Sequence, residues 1–420
     1  MIQNLWQTIL HPTRKHSLLL LAVYTFGFAF MMPDWSTWLS DYWRLLTSQT
    51  YLMHDFTETA GMAAAFMNVG FHFVIAYYLM VRNTRSNLSG LQMAATGIFV
   101  GHSFFGTHLF NILPIILGVV LYSHWTGQSF KSYTAVSLFA TAAGPFVSFL
   151  ALAPGWTWFN LLIATAFGLG IGFISAPLAE QYLKFHHGFT LYNFGFAMGI
   201  IAMFATISFN YFNLDPTPQT YLNGDGHTIL AWYVGLALLG LLAISWRGTS
   251  WDTYRRLLRS SGRTPDDFVS KFGYATTGLN MALTGFVFLL LLLAVGAQFN
   301  GPIVGGFCAI IGFASFGKHP ANCLPIAIGV ALAALLDGTA LNQPQFLITL
   351  LFSTTLCPIA GYYGPLYGII AGFLHFNLVT ITFDLHQGMS LYNNGFASGF
   401  VAAFLVPIFD TFIDNHHAYD

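Results

Sequence analysis

Two strings of one pattern lie 200 residues apart: His186-His187-Gly188-Phe189-Thr190-Leu191-Tyr192-Asn193-Phe194-Gly195-Phe196-Ala197-Met198-Gly199 and His386-Gln387-Gly388-Met389-Ser390-Leu391-Tyr392-Asn393-Asn394-Gly395-Phe396-Ala397-Ser398-Gly399. Nine of the fourteen positions are identical, among them a His, a Tyr and an Asn in apolar sequence whose packing requires none of them. A second pair, residues 105–119 and 316–330, shares nine of fifteen, including His108 and His319, Asn111 and Asn322, and Pro114 and Pro325. Gly61 and Asn68 likewise pair with Gly273 and Asn280, Thr141 and Pro145 with Thr354 and Pro358, and Gly172-Phe173 with Gly372-Phe373. The chain therefore reads as two copies of one unit, about 58–210 and 270–410, the second a dozen residues shorter between Pro358 and Gly368.

Composition sets the solvent around those units. With 55% apolar, 17% aromatic and 7% charged residues, the chain has too few charges to coat a soluble globule of 420 residues, and its apolar surface belongs in a bilayer. Cys308, Cys323 and Cys357 are odd in number and lack metal spacing, so they read as small core residues. Arg14 and Lys15 ahead of an apolar run resemble a signal peptide, but no small-residue cleavage site follows Met32-Pro33-Asp34-Trp35, and 17–33 reads as a retained first span.

Apolar stretches fall at about 17–33, 59–81, 92–123, 133–153, 157–178, 190–210, 228–246, 273–296, 302–336, 346–361, 363–382 and 390–409. A helix needs roughly 20 residues to cross about 30 Å of hydrocarbon. The stretches 92–123 and 302–336 exceed that and are broken by polar or small residues near their middles. Arg14 with Lys15, Arg82 with Arg85, Lys131, Lys184 and the run Arg247 to Lys271 mark cytoplasmic segments, leaving Arg44 and Lys318 elsewhere. This places the N-terminus in the cytoplasm of a bacterial inner membrane and makes each long stretch a re-entrant or broken hairpin. The single span at 228–246 inverts the second unit relative to the first. The expected fold is an all-α polytopic membrane protein with an N-terminal span and external segment (1–57), repeat 1 (58–210), a linker with one span and a basic loop (211–269), repeat 2 (270–410) and a tail (411–420).

Inverted repeats with broken helices gather polar groups at mid-membrane, the construction of many transporters and of several channels. The candidate substrate-binding residues are His108, Asn111, His319, Asn322, His186, Tyr192, Asn193, His386, Tyr392, Asn393, Asn68 and Asn280. They offer imidazole, amide and phenol groups without paired carboxylates, which suits a small neutral polar solute better than a hard cation. A transition-metal ion held by His108, His319, His186 and His386 is the alternative cargo, and an intramembrane enzyme or haem protein the alternative class. No catalytic motif is present and no cofactor is expected.

Each residue also has a plain structural reading. Asn68 and Asn280 serve equally as interhelical hydrogen-bonding groups, Gly195 and Gly199 as a close-packing Gly-x-x-x-Gly, and the tyrosines as interfacial belt residues. Glu58, Glu180, Lys184, Lys318, Asp337 and Asp384 sit at predicted span ends or hairpin turns, where snorkelling accounts for them. Glu180 and Asp384 are the candidates if a proton is the coupling ion. The run from Trp246 to Lys271 reads as a loop on anionic lipid, not a nucleic-acid surface. Expected partners are the lipid bilayer and a small solute, and Gly- and aromatic-rich lipid-facing helices are compatible with a homodimer or trimer.

The duplicated His-x-Gly-x-[Ser/Thr]-Leu-Tyr-Asn-x-Gly-Phe-Ala element resembles that of an uncharacterised family of bacterial multi-spanning proteins, and the likeness covers nearly the whole chain. It implies the fold but no activity. A more distant likeness is to urea transporters: Gly278-Leu279-Asn280-Met281-Ala282-Leu283-Thr284-Gly285, then His319-Pro320-Ala321-Asn322, then Thr354-Thr355-Leu356-Cys357-Pro358 follow in the order of their elements. The first copy departs from it at Ala65-Phe66-Met67-Asn68-Val69-Gly70. That resemblance implies a small neutral solute passing through an inverted-repeat protein.

Overall fold

The computed structural model describes residues 17–83, 88–214, 216, 220, 222 and 226–417; Arg14, Lys15 and Arg85, three of the basic residues that set the orientation, lie outside them. The described residues form helices, turns and loops without a strand. Helix α1 (Ser17–Phe30) bends by 94° into a short 3-10 turn and α2 (Trp38–Leu46). The first unit follows as α3 (Phe56–Thr59), α4 (Met62–Asn83), α5 (Gly90–His102), α6 (Leu109–Trp125), α7 (Thr134–Ala140), α8 (Gly144–Leu152), α9 (Trp158–Tyr182) and α10 (Asn193–Tyr211). Helices α11 (His227–Ser245) and α12 (Trp251–Leu257) lead to the second unit. That unit comprises α13 (Phe268–Ala294), α14 (Gly301–Phe313), α15 (Pro320–Asp337), α16 (Pro344–Ser353), α17 (Cys357–Tyr363), α18 (Pro365–Leu385) and α19 (Asn393–His417). Among the described residues, ten helical segments are long and apolar enough to cross a membrane, so the protein is a multi-pass membrane protein.

The two units match break for break. Gly61 (φ 85°) separates α3 from α4, and Gly273 (φ 78°, ψ 168°) interrupts α13 five residues after Phe268. Only glycine takes that backbone without strain, so each unit starts with a short helical turn that changes direction before a long span. Within the later spans, 3-10 turns at Thr141–Ala143 and Thr354–Leu356 precede Pro145 and Pro358, which sit in the first turn of the next helix, where the missing N–H costs nothing. The shorter second copy is explained too: α18 follows α17 after Gly364 alone, whereas α8 and the 25-residue α9 are joined by a loop.

Side-chain contacts fix α5 and α6 as a hairpin whose two ends lie together. Gln92, at the start of α5, donates to Thr134 Oγ1 (3.5 Å), and Tyr122, near the end of α6, packs edge-on against Tyr133 (5.5 Å). Both ends thus lie beside the start of α7, while Asn111 at the tip reaches Ser148 in α8 (3.0 Å). Helices α5 and α14 then pack antiparallel, start against tip. Gly90 donates to Asp267 (2.9 Å) and accepts from Ser315 (2.8 Å), and a Cβ on Gly301 would lie 2.5 Å from Phe104 O. Small residues permit this approach: a Cβ on Gly97 would lie 2.8 Å from Gly312 Cα, and one on Gly101 2.7 Å from Gly305 O.

The units are also interlaced. Leu52 N donates to Gly388 O (2.9 Å) and Thr264 N to Gly188 O (3.1 Å), so the strap preceding each unit is tied to the His-x-Gly turn of the other. The matched geometry therefore begins N-terminal to residues 58 and 270.

Candidate functional site

Most of the shared polar residues hold backbone together. A chain that breaks inside a membrane strands carbonyl groups, each costing several kcal/mol if left bare in hydrocarbon. Asn68 Nδ2 donates to Ser103 O (2.7 Å) and Thr107 O (2.8 Å) at the first hairpin tip. Asn280 donates to Ala314 O and Lys318 O (both 2.7 Å) at the second. His108 N donates to Asn111 Oδ1 and His319 N to Asn322 Oδ1, each at 3.0 Å, capping α6 and α15. The same amides donate back across the turns to Gly106 O (3.2 Å) and Gly317 O (2.9 Å). His319 Nε2 donates to Ser260 O at 2.9 Å, and His108 Nε2 lies 3.2 Å from Ser148 Oγ.

The Leu-Tyr-Asn element has a role for each member. Asn193 donates to Ala179 O (2.8 Å) and accepts from His186 (2.9 Å); Asn393 donates to Val379 O (3.0 Å) and its Oδ1 faces His386 Nδ1 (3.2 Å). These clips tie the end of α9 to the start of α10, and of α18 to α19. Leu191 fills the space over Gly317 and Leu391 the space over Gly106, so each leucine enters the hairpin tip of the opposite unit. Helices α10 and α19 cross at Gly195 and Gly395 with backbone against backbone, and Phe196 stacks on Phe396 (5.9 Å). This crossing is the pseudo-two-fold axis, and it places Tyr192 and Tyr392 on either side of it.

A cavity of about 300 Å³ reaches that axis, with Tyr192, Tyr392, Gly195 and Phe313 on its wall. Its other end is lined by Ser132, Glu180, Leu183 and Thr264, neighbours in sequence of Lys131, Lys184 and Arg263, so it opens toward the basic loops. Three small side chains make room for it: Ala135, Ala176 and Ala179. The positions matching them in the second unit hold the larger Ile348, Phe376 and Val379, all buried.

The matched histidines do not converge on this cavity. The expectation that both units pool their imidazoles and amides around a common hollow is replaced by a different arrangement, because those groups are committed to the caps and clips. Of the twelve predicted residues, Tyr192, Asn193 and Tyr392 line the cavity. His108, Asn111, His319 and Asn322 sit at the hairpin tips, Asn68 and Asn280 behind them, and His186, His386 and Asn393 at the clips. Among the described residues, no three His, Cys, Asp or Glu side chains gather as a metal-binding group. Glu180 is exposed at the cavity mouth. Asp384 is exposed, and the ring nitrogens of His386 face Asn393 and Gly199 O (3.1 Å) instead.

The groups at the axis that identity between the copies does not reveal are those at which the copies differ. Lys318 is fully buried and donates to Tyr192 Oη at 2.7 Å; its counterpart is Thr107. His102, whose counterpart is Phe313, is buried with its ring 5.3 Å from that of Tyr392. Neither ring nitrogen of His102 has a hydrogen-bond partner, nor does Tyr392 Oη. His72, matched by Thr284, lies between Asn68 O (2.8 Å) and Thr107 Oγ1 (3.4 Å). One half of the axis thus holds an ammonium–phenol pair, the other an imidazole and a phenol without partners.

The family described as "Protein of unknown function (DUF1576)" matches residues 35–210 and 247–411. The chain belongs to that family. The DUF1576 match comes in two segments, one per unit, and each carries a hairpin, a clip and an axial tyrosine. No curated protein and no solved structure matches the chain.

Proposed function

We propose that this DUF1576 protein moves a small polar solute across a bacterial inner membrane, by way of the cavity between its inverted units. One observation carries the reading: the cavity ends at the crossing of α10 and α19, where Tyr192 and Tyr392, one from each unit, are buried deep between helices long enough to span a membrane. Irregular backbone at that depth is tolerated where it lines a protein-enclosed path, and inverted units meeting there supply two related half-sites. The volume of about 300 Å³ is at the small end for ligand pockets, which points to a solute of few heavy atoms. The basic loops are assigned to the cytoplasm by their lysines and arginines, so the cavity faces inward and the N-terminus is cytoplasmic.

The test is flux through purified protein in liposomes, with urea, glycerol, acetamide, small carboxylates and inorganic anions as solutes. At least one class should cross saturably, and Val136→Trp, which fills the cavity from its wall, should abolish most of that flux. Folded wild-type protein that passes none of them, or that releases a chemical product in detergent without a gradient, would overturn the proposal.

A further inference from the structure

We infer that the solute is an anion, a small carboxylate or an inorganic anion of like size, for which Lys318 supplies the counter-charge beside Tyr192. The inference rests on the proposed transport function and narrows its substrate class.

Lys318 lies in the break between α14 and α15 with no exposed surface. Its ammonium has three N–H donors. One is used on Tyr192 Oη, and the rest of its surroundings include the faces of Tyr192 (4.6 Å) and Phe313 (5.4 Å). The ion pairs among the described residues are Arg44–Asp41 and Lys271–Asp266, so no carboxylate neutralises it. The nearby thiols of Cys323 and Cys357 are turned to Asn322 Oδ1 (3.4 Å) and Gly317 O (3.7 Å). An unpaired charge inside a membrane protein is costly and persists where it serves a ligand or a path.

The fold does not require the cation. The first unit builds the same hairpin tip around Thr107, with Asn68 bonded to Thr107 O as Asn280 is to Lys318 O. The remaining groups at the axis are donors as well. Tyr192, having accepted from Lys318, keeps its own proton to give; Tyr392 Oη and one nitrogen of His102 are unengaged donors. Glu180 also lines the cavity, but at its exposed mouth. Asp266 is buried near the same tip, but Lys271 already pairs with it at 2.6 Å. A site with one positive charge, several donors and no carboxylate in contact with that charge complements an anion and repels a cation.

The isosteric pair acetate and acetamide separates charge from shape. Thermal unfolding of the full chain in detergent is followed against acetate, formate, nitrate, chloride, acetamide and urea at matched ionic strength. At least one anion should raise the unfolding temperature saturably while acetamide does not. Lys318→Met should weaken that anion roughly 10- to 100-fold, as expected for loss of a hydrogen bond to a charged group. Lys318→Arg should retain most of the affinity. Lys318→Thr, which installs the residue of the first unit, serves if the Met variant does not fold. Equal stabilisation by acetamide and acetate with no change in Lys318→Met, or no response to any anion, would overturn the inference. Flux then separates the two readings: liposomes that pass a neutral solute keep the transport proposal, and liposomes that pass nothing remove both.

Discussion

Gly195 and Gly395 meet backbone to backbone: a Cβ built on Gly395 falls 2.8 Å from Gly195 Cα, and one on Gly195 falls 3.1 Å from Gly395 Cα. Backbone has no rotamer with which to yield, so α10 and α19 can cross at this point only as glycines. Replacing Gly395 with Leu should force the helices apart and cost about 1–3 kcal/mol, the usual range for overpacking. Gly195→Leu should behave alike. Thermal unfolding in detergent reads the effect, and wild-type stability in both variants would mean that the axis lies elsewhere.

The amide clips predict a separation between stability and binding. Asn393→Ala leaves Val379 O without its donor and His386 with Gly199 O alone, and Asn193→Ala leaves both Ala179 O and His186 Nε2 without their partner. Each should lose about 1–3 kcal/mol of stability, the cost of stranding buried polar groups. Ligand affinity of Asn393→Ala, measured on the folded fraction, should stay close to wild type, because Asn393 lies outside the cavity that Asn193 lines. A large loss of affinity at unchanged stability would instead make Asn393 a ligand.

Backbone strain can be tested without a steric contribution at Gly273. A Cβ there would meet nothing within 4 Å, yet the residue sits at φ 78° and ψ 168°, a conformation that side chains disfavour. Gly273→Ala should therefore cost about 1–3 kcal/mol through conformation alone. Gly61→Ala should cost more, since its Cβ would also collide with the carboxylate of Asp34. Equal, negligible losses at both positions would mean that something other than glycine's backbone freedom sets the break at the head of each unit.

Much of the fold was legible because a membrane leaves few choices. The apolar stretches at about 190–210 and 228–246 became α10 (Asn193–Tyr211) and α11 (His227–Ser245), and the overlong stretches 92–123 and 302–336 became hairpins broken just before His108 and His319. Pairing the copies located those breaks, because the polar residues that satisfy broken backbone must recur wherever the backbone breaks. For the same reason, identity was a guide to scaffold more than to chemistry. His186, Asn193, Asn111 and Asn322 recur because the clip and the cap recur. Lys318 looked like a residue at a hairpin turn free to reach an interface; only the packing of each tip against the opposite unit reveals that the turn is buried. His102 closes an apolar helix and carries no pattern of its own; a comparison of the copies for their differences, Phe313 against His102 and Lys318 against Thr107, would have singled out both. The cavity was illegible for a similar reason. It depends on Ala135, Ala176 and Ala179 being smaller than Ile348, Phe376 and Val379, a difference in volume that hydropathy does not register.

A shared axial site requires the two units to face opposite ways in the membrane, and sided labelling of matched loops tests that most directly. Ser129 and Asn342 are exposed and occupy equivalent positions, each ahead of the helix that leads to the 3-10 turn. In a variant with Cys308, Cys323 and Cys357 replaced by Ala, Ser129→Cys should react with an impermeant maleimide only when the cytoplasmic face is open to it. Asn342→Cys should react only from the outer face. Labelling of both cysteines from one side would contradict the inverted arrangement, and with it the shared axial site.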